Sequence, residues 1–307
     1  MRVFSIINNY YKDIVADQLE GLTKYFCSRD ICIKLERKEG LKEEIFEIHT
    51  EGENLQNREY RLLQYYISNI LYEVMIEDFI SKKLRKYLSE TYVFLDINDI
   101  SKVKERVAIV LREEKGIDDM MLFCMNRKNI ILDKISSCIS EGTSINMKGF
   151  MDFRFNELKT DLFRMIEKVI EQYVVEKEYN EFISLLKYFV SLQESKVNRV
   201  DLYMDPVENK YELIDEFGNN MMQSFLNEIY ENKNIIDISN EDLVISGLIT
   251  TCPRRIVIHL TGNNKKNELV STIEKVFESR VEYCSGCSKC SYMKDFIKIP
   301  IDSNINL

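Results

Sequence analysis

The stretch that decides the fold of the C-terminal part of the chain is Arg255-Ile-Val-Ile-His259-Leu260, then Lys266-Asn-Glu-Leu-Val-Ser-Thr-Ile-Glu-Lys-Val-Phe277, then Arg280-Val-Glu-Tyr-Cys284-Ser-Gly-Cys287-Ser-Lys-Cys290. The first run is compact and apolar and predicts a strand. The second repeats its apolar residues at helical spacing, and the third opens on a short strand at Arg280–Tyr283. A strand, a helix and a strand in this order predict parallel strands joined by a right-handed crossover. Parallel strands end on the same edge of their sheet. Cys284 follows the second strand and His259 stands near the end of the first, so the topology brings them to one edge. Cys252 precedes the first strand and belongs to the opposite edge.

Cys284, Cys287 and Cys290 carry the clearest chemical signal in the sequence. Two successive Cys-x-x-Cys spacings let neighbouring thiolates converge on one ion, Gly286 permits the tight turn this needs, and Lys289 favours the thiolate forms. Three cysteines fall one ligand short of a closed tetrahedral Zn²⁺ site, and His259 is the candidate fourth ligand. An iron–sulfur centre or a redox-active thiol pair is the alternative. The bacterial ferredoxin run wants a further cysteine just after Cys290, where Lys294 stands instead. The five other cysteines are scattered among apolar neighbours and read as small buried hydrophobes.

Outward from this unit, Val200, Leu202 and Met204 alternate, Asp205–Lys210 contains a proline and predicts a turn, and Tyr211–Ile214 returns as a hairpin partner. Ser239 with Asp242 three residues on predicts a capped helix running to about Thr250. From about Asn54 to Lys196 the texture is helical. Leu63, Ile67, Ile70 and Val74 form one stripe, Leu162, Ile166, Val169 and Tyr173 a second, and Phe182, Leu186, Phe189 and Leu192 a third. Helices are also expected at Asp99–Glu114 and Lys128–Ser140, with the clearest break at Gly142–Gly149. No proline occurs between Met1 and Asp205, so none interrupts these helices. The aromatic pairs Tyr65–Tyr66 and Tyr188–Phe189 sit at helical spacing and are expected in the core. Val3–Ile7, the helical stripe Val15, Leu19, Leu22 and Phe26, the alternating Ile31, Ile33 and Leu35, and Glu44–His49 predict a β-α-β-β unit at the N-terminus.

The fold class expected is therefore α+β. A small β-α-β-β unit occupies residues 1–52, a helical region 53–196, and an α/β unit ending in the cysteine cluster 197–307. At 307 residues the chain is long enough for two or three packed units, and with 45% hydrophobic residues it has ample material for their cores. Only 10 glycines and 3 prolines argue against a turn-rich all-β architecture.

Function is less legible. There is no glycine-rich phosphate loop and no G-x-S-x-G elbow, and only His49 and His259 are available, which excludes multi-histidine metal sites. No catalytic constellation is present, so the chain reads as a non-enzyme. The formal charge of −9 disfavours a nucleic-acid-coating role. The basic groups Lys82, Lys83, Arg85 and Lys86, and Arg254–Arg255, leave a zinc-knuckle-like nucleic-acid site as an alternative; the first group reads as a solvated helix end. No signal peptide and no apolar run long enough to span a membrane is found, which points to a cytoplasmic protein with mostly reduced cysteines.

The segments Lys177-Glu-Tyr-Asn-Glu-Phe-Ile-Ser-Leu-Leu-Lys-Tyr-Phe-Val190 and Gln193-Glu194, the hairpin Val200–Ile214, Ser246-Gly-Leu-Ile-Thr250, Ile256-Val-Ile-His259 and the Cys-rich end follow one another in a recognisable order. In this the chain resembles the YtxC-like family of sporulation proteins of endospore-forming bacteria. The resemblance covers most of the chain and is densest from about Phe150 to Cys290. It implies a cytoplasmic, sporulation-associated protein of undefined biochemical activity, and it brings no catalytic residue with it. Action through contacts with an unknown protein partner is the reading that the absence of a catalytic constellation leaves.

Overall fold

The computed structural model describes residues 2–9, 11–40, 43–50, 56–112, 119–140, 142–205, 210–222, 239–260, 267–288 and 290. It is α+β, with a small mixed sheet towards each end of the chain and helices between. The chain divides into two compact units, Met1–Val175 and Glu176–Leu307, each with its own apolar core.

The first unit opens with β1 (Arg2–Asn8), α1 (Lys12–Cys27) and the hairpin β2 (Ile33–Glu39) and β3 (Glu44–Thr50). Alternation decides which face is buried: Phe4 and Ile6 of β1 and Phe46 and Ile48 of β3 point one way, onto Val15, Leu19, Leu22 and Phe26 of α1. The sheet order is β2-β3-β1-β4, the last strand being the short β4 (Ser144–Asn146), which runs parallel to β1. That strand falls within the Gly142–Gly149 break, where three residues are too few for any alternation to register in the sequence.

Among the described residues, this unit also holds the helices α2 (Asn57–Asp78), α3 (Leu84–Thr91), α4 (Ile97–Arg112), α5 (Asp119–Ser140) and the single turn α6 (Met147–Gly149). To them is added the first part of α7 (Phe155–Leu192), whose Leu158, Leu162, Ile166 and Val169 join the core. Gln56 and Glu59 form a reciprocal cap at the start of α2. Buried polar contacts tie the helices together. Tyr72 donates to the Leu111 carbonyl at 3.1 Å, and Tyr173 donates to Asp99 Oδ1 at 2.6 Å.

The basic group Lys82–Lys86 does not mark a helix end. The chain passes from α2 through a π-helical segment, Phe79–Lys83, directly into α3. Lys82 and Lys83 lie 2.6 and 3.7 Å from the buried carboxylate of Asp78, and Lys86 lies 3.7 Å from Glu90. Asp78 one turn upstream neutralises Lys82 and Lys83 and Glu90 one turn downstream pairs with Lys86, and with no proline nearby nothing stops the helix.

The second unit contains the remainder of α7, the hairpin β5 (Arg199–Asp205) and β6 (Lys210–Asp215), then α8 (Asn240–Thr251), β7 (Arg255–Leu260), α9 (Glu268–Phe277) and β8 (Val281–Tyr283). Its sheet runs β6-β5-β7-β8, with β5–β6 antiparallel and β5–β7 and β7–β8 parallel. The strand–helix–strand reading of residues 255–283 thus holds. Caps start both helices cleanly: Ser239 accepts from the Asp242 N–H at 3.1 Å, and Asn267 from the Leu269 N–H at 2.8 Å.

Alternation again divides the sheet. Val200, Leu202 and Met204 of β5 and Ile256 and Ile258 of β7 share the core with Leu243, Val244 and Leu248 of α8 and Val270 and Ile273 of α9. The other parity, Asp201, Tyr203, Val257 and His259, lies on the opposite face.

The second half of α7 corrects an expectation. Its buried residues are Ile183, Leu186 and Val190, whereas Phe182, Phe189 and Leu192 are exposed, as are Tyr188 and, in α2, Tyr65. Apolar residues occur around most of the helix at 182–192, so periodicity alone does not say which side enters the core. Tyr66 is half-buried, its ring centroid 4.8 Å from that of Tyr25.

Candidate metal centre

The site is built on the carboxyl edge of the parallel strands. His259 is the fifth residue of β7 and is 4% exposed. Cys284 follows β8 directly, and its N–H donates to the Ile258 carbonyl at 3.0 Å, extending the β7–β8 ladder by one step. The chain then turns at Gly286, whose φ of +121° is a conformation that strains any L side chain. Its N–H meets the Cys284 sulfur at 3.4 Å. This turn carries Cys287 and the buried Cys290 back over the sheet face that holds His259.

The outcome is four ligand atoms, from His259, Cys284, Cys287 and Cys290, all within 4.8 Å of one another. His259 Nδ1 lies 3.3 Å from Cys290 Sγ and 3.5 Å from Cys287 Sγ, and the two sulfurs are 3.6 Å apart. A tetrahedral ion with M–S near 2.3 Å and M–N near 2.05 Å requires N···S edges of about 3.6 Å and S···S edges of about 3.8 Å. The three edges among His259, Cys287 and Cys290 therefore match one ion, with the Cys284 sulfur within 4.8 Å of each, and the cluster could hold a metal ion.

The surroundings orient the imidazole. Its far nitrogen, Nε2, is 2.8 Å from Asp201 Oδ1, so the Nε2–H donates to the carboxylate and Nδ1 is left to face the sulfurs. Arg199 Nη2 donates to the same carboxylate oxygen at 2.7 Å. Burial opposes ionisation of Asp201, but the hydrogen bonds from Arg199 and His259 outweigh it and hold the carboxyl below its ordinary range. The Tyr203 ring stacks on the imidazole at 4.1 Å between centroids and 21° between planes.

The thiols are unequal. The backbone N–H of Cys290 is the largest influence on Cys287 and, with the contacts to Cys290, His259 and Cys284, pushes that thiol down to about 6. Burial pushes Cys290 up to about 11. Such a set loses protons as a group when a cation enters.

Arg199, Asp201 and Tyr203 carry no motif and escape a reading of the sequence. Alternation puts Asp201 and Tyr203 on one face of β5, but only the β5–β7 register, Asp201 opposite Val257 and Tyr203 opposite His259, makes them neighbours of the imidazole. Cys252 lies at the other edge as expected, buried, with its sulfur 3.5 Å from the Val190 carbonyl and 3.2 Å from Arg280 Nη1. Of the basic residues near the cluster, Arg255 pairs with Glu282 at 2.5 Å, and Lys289 and Lys294 lie outside the described residues. A looser group, Glu36, Glu47 and His49, forms on the β2–β3 hairpin, where Lys38 is 2.6 Å and Arg2 3.7 Å from Glu47. No described helix is long and apolar enough to cross a membrane.

Comparison with known proteins bears on most of the chain. The model of the YtxC-like family matches residues 65–282. The chain belongs to the YtxC-like family. The matched span takes in Arg199, Asp201, Tyr203 and His259 and ends just before Cys284. A relative, the uncharacterized protein YtxC of Bacillus subtilis (strain 168), is 23% identical over 221 residues, covering 72% of this chain and 76% of the relative. No solved structure matches.

Proposed function

We propose that this chain is a non-enzymatic, sporulation-associated cytoplasmic protein, acting as an interaction or regulatory factor, whose C-terminal α/β unit is organised around a zinc ion. The ligands are Cys284, Cys287, Cys290 and His259, with Asp201 orienting the histidine. The observation that carries the metal reading is the convergence of one nitrogen and three sulfurs within 4.8 Å, backed by the 2.8 Å contact between His259 Nε2 and Asp201. A closed set of four protein donors leaves no open position for substrate, which favours a structural ion over a catalytic one. Donors that share one ion sit closer together than donors spread over several iron atoms, so the 3.6 Å sulfur spacing favours zinc over an iron–sulfur centre. The sporulation setting rests on family membership. The nucleic-acid alternative loses support because Arg199 and Arg255 are held by Asp201 and Glu282.

The experiment is metal analysis and an absorption spectrum of anaerobically purified protein beside a Cys284→Ser/Cys287→Ser variant. About one equivalent of zinc, absent from the variant, is the expected result. Iron with sulfide and a broad visible band would replace this reading with a redox one, and metal-free protein would remove the centre.

A further inference from the structure

We infer that the exposed face of the second half of α7 is a dimer interface that seats the same face of a second copy of this chain, with the two helices antiparallel. Phe182, Leu185, Tyr188, Phe189 and Leu192 are between 44% and 64% exposed, although every one is large and apolar. Steps of three and four residues put them along one side of the helix. Ile183, Leu186 and Val190, which enter the core of the second unit, lie on another side. The helix thus has two apolar faces, and its own unit uses one of them.

The pattern of the second face is what selects a second copy. Reversing the helix about position 187 lays Phe182 on Leu192 and Leu185 on Phe189, so each large ring meets a smaller branched side chain. The face is therefore complementary to itself, as a two-fold interface requires. Charge fixes the direction. Exposed Glu178 and Glu181 precede the stripe, Glu181 lying 3.9 Å from Lys177, and exposed Glu194 and Lys196 follow it. Reversal about position 187 sets Glu178 of one copy against Lys196 of the other and aligns the helix dipoles favourably, whereas a parallel pair would stack Glu178 on Glu178. Phe182 also lines a cleft of ≈ 400 Å³ with Ile245 and Ile249. In the antiparallel register this cleft falls beside Leu192 of the second copy.

The area is sufficient. At roughly 200 Å² for a large side chain and about half of it exposed, the five residues offer about 500 Å² per copy. Two copies then bury about 1,000 Å² from these side chains alone, and the flanking residues bring the total to the ~1,200 Å² at which specific interfaces begin.

Sedimentation equilibrium of the full-length protein at micromolar concentration, with its metal content unchanged, tests this. The expected result is a dimer that Phe189→Glu and Leu185→Glu each convert to a monomer without altering the circular dichroism spectrum. Glu178→Lys weakens the dimer several-fold, and adding Lys196→Glu restores it. A monomeric wild type, or a dimer that survives Phe189→Glu, overturns the interface. A dimer broken by Phe189→Glu but indifferent to the charge reversals overturns the antiparallel arrangement.

Discussion

Asp201 stands behind the imidazole, on the far nitrogen from the sulfurs, and decides what His259 can do. By accepting the Nε2 proton it selects the tautomer whose Nδ1 lone pair faces Cys287 and Cys290, and Arg199 keeps it ionised. Asp201→Asn is expected to lower metal affinity about 10–100-fold, measured by competition with a chromogenic chelator, while leaving stoichiometry at saturation intact. His259→Ala removes a proposed ligand and should cost more than Asp201→Asn in the same assay. Equal affinities for wild type and both variants would show that the imidazole is not a ligand. Gly286 is the other residue whose identity matters locally. At φ +121° an alanine is strained by about 1–3 kcal/mol even though open space surrounds the position. Gly286→Ala should therefore weaken metal retention without introducing a clash.

Between elements, the contact with the clearest pH signature is Asp161 of α7, which holds Arg127 at 3.0 Å and Lys134 at 2.6 Å, both on α5. Burial raises the Asp161 carboxyl, but the hydrogen bonds from Lys134 and Arg127 outweigh it and leave the group below its ordinary value. A carboxyl depressed by folding contributes stability that is fully present above its unfolded value, roughly 3.9. That contribution is lost as pH falls through the lower, folded value. Asp161→Asn should cost about 1–3 kcal/mol at pH 7, and the gap to wild type should close as pH falls below about 4. Urea melts at the two pH values check this, and superimposable curves at neutral pH would remove the contact from the account. At the start of α8, Ser239→Ala should cost about 1 kcal/mol by leaving the Asp242 N–H without its cap.

For the whole molecule, two cores mean that a ligand in one unit need not protect the other. A metal bound by the folded second unit stabilises that unit by mass action, and stripping it withdraws the stabilisation. Chelation should speed amide hydrogen exchange in β5, β7 and α9 while leaving β1, α1 and α2 close to their original rates. Hydrogen-exchange mass spectrometry with and without a strong chelator measures this. Unchanged exchange in β7 after metal loss would mean that the centre contributes nothing to the fold.

The elements of both sheets were largely legible from the chain. Period-two alternation in Val200, Leu202 and Met204, helical spacing in Leu269, Ile273 and Val276, and the capping pair Ser239–Asp242 are local signals, carried by residues near one another in sequence. The common edge of His259 and Cys284 was legible too, because the handedness of a strand–helix–strand crossover allows one arrangement. Three features were not. The short strand β4 gains its place from β1, more than a hundred residues away. Asp201 and Tyr203 become neighbours of His259 only through the register between β5 and β7. The side of α7 that enters the core at 182–192 is chosen by what packs against it, Ile245 and Ile249 of α8 and Leu269 of α9 among them, since apolar residues surround most of that helix. Local patterns determine which elements form and, where chirality restricts them, how they connect. Contacts between distant segments determine which faces meet, and those contacts exist only once the chain has packed.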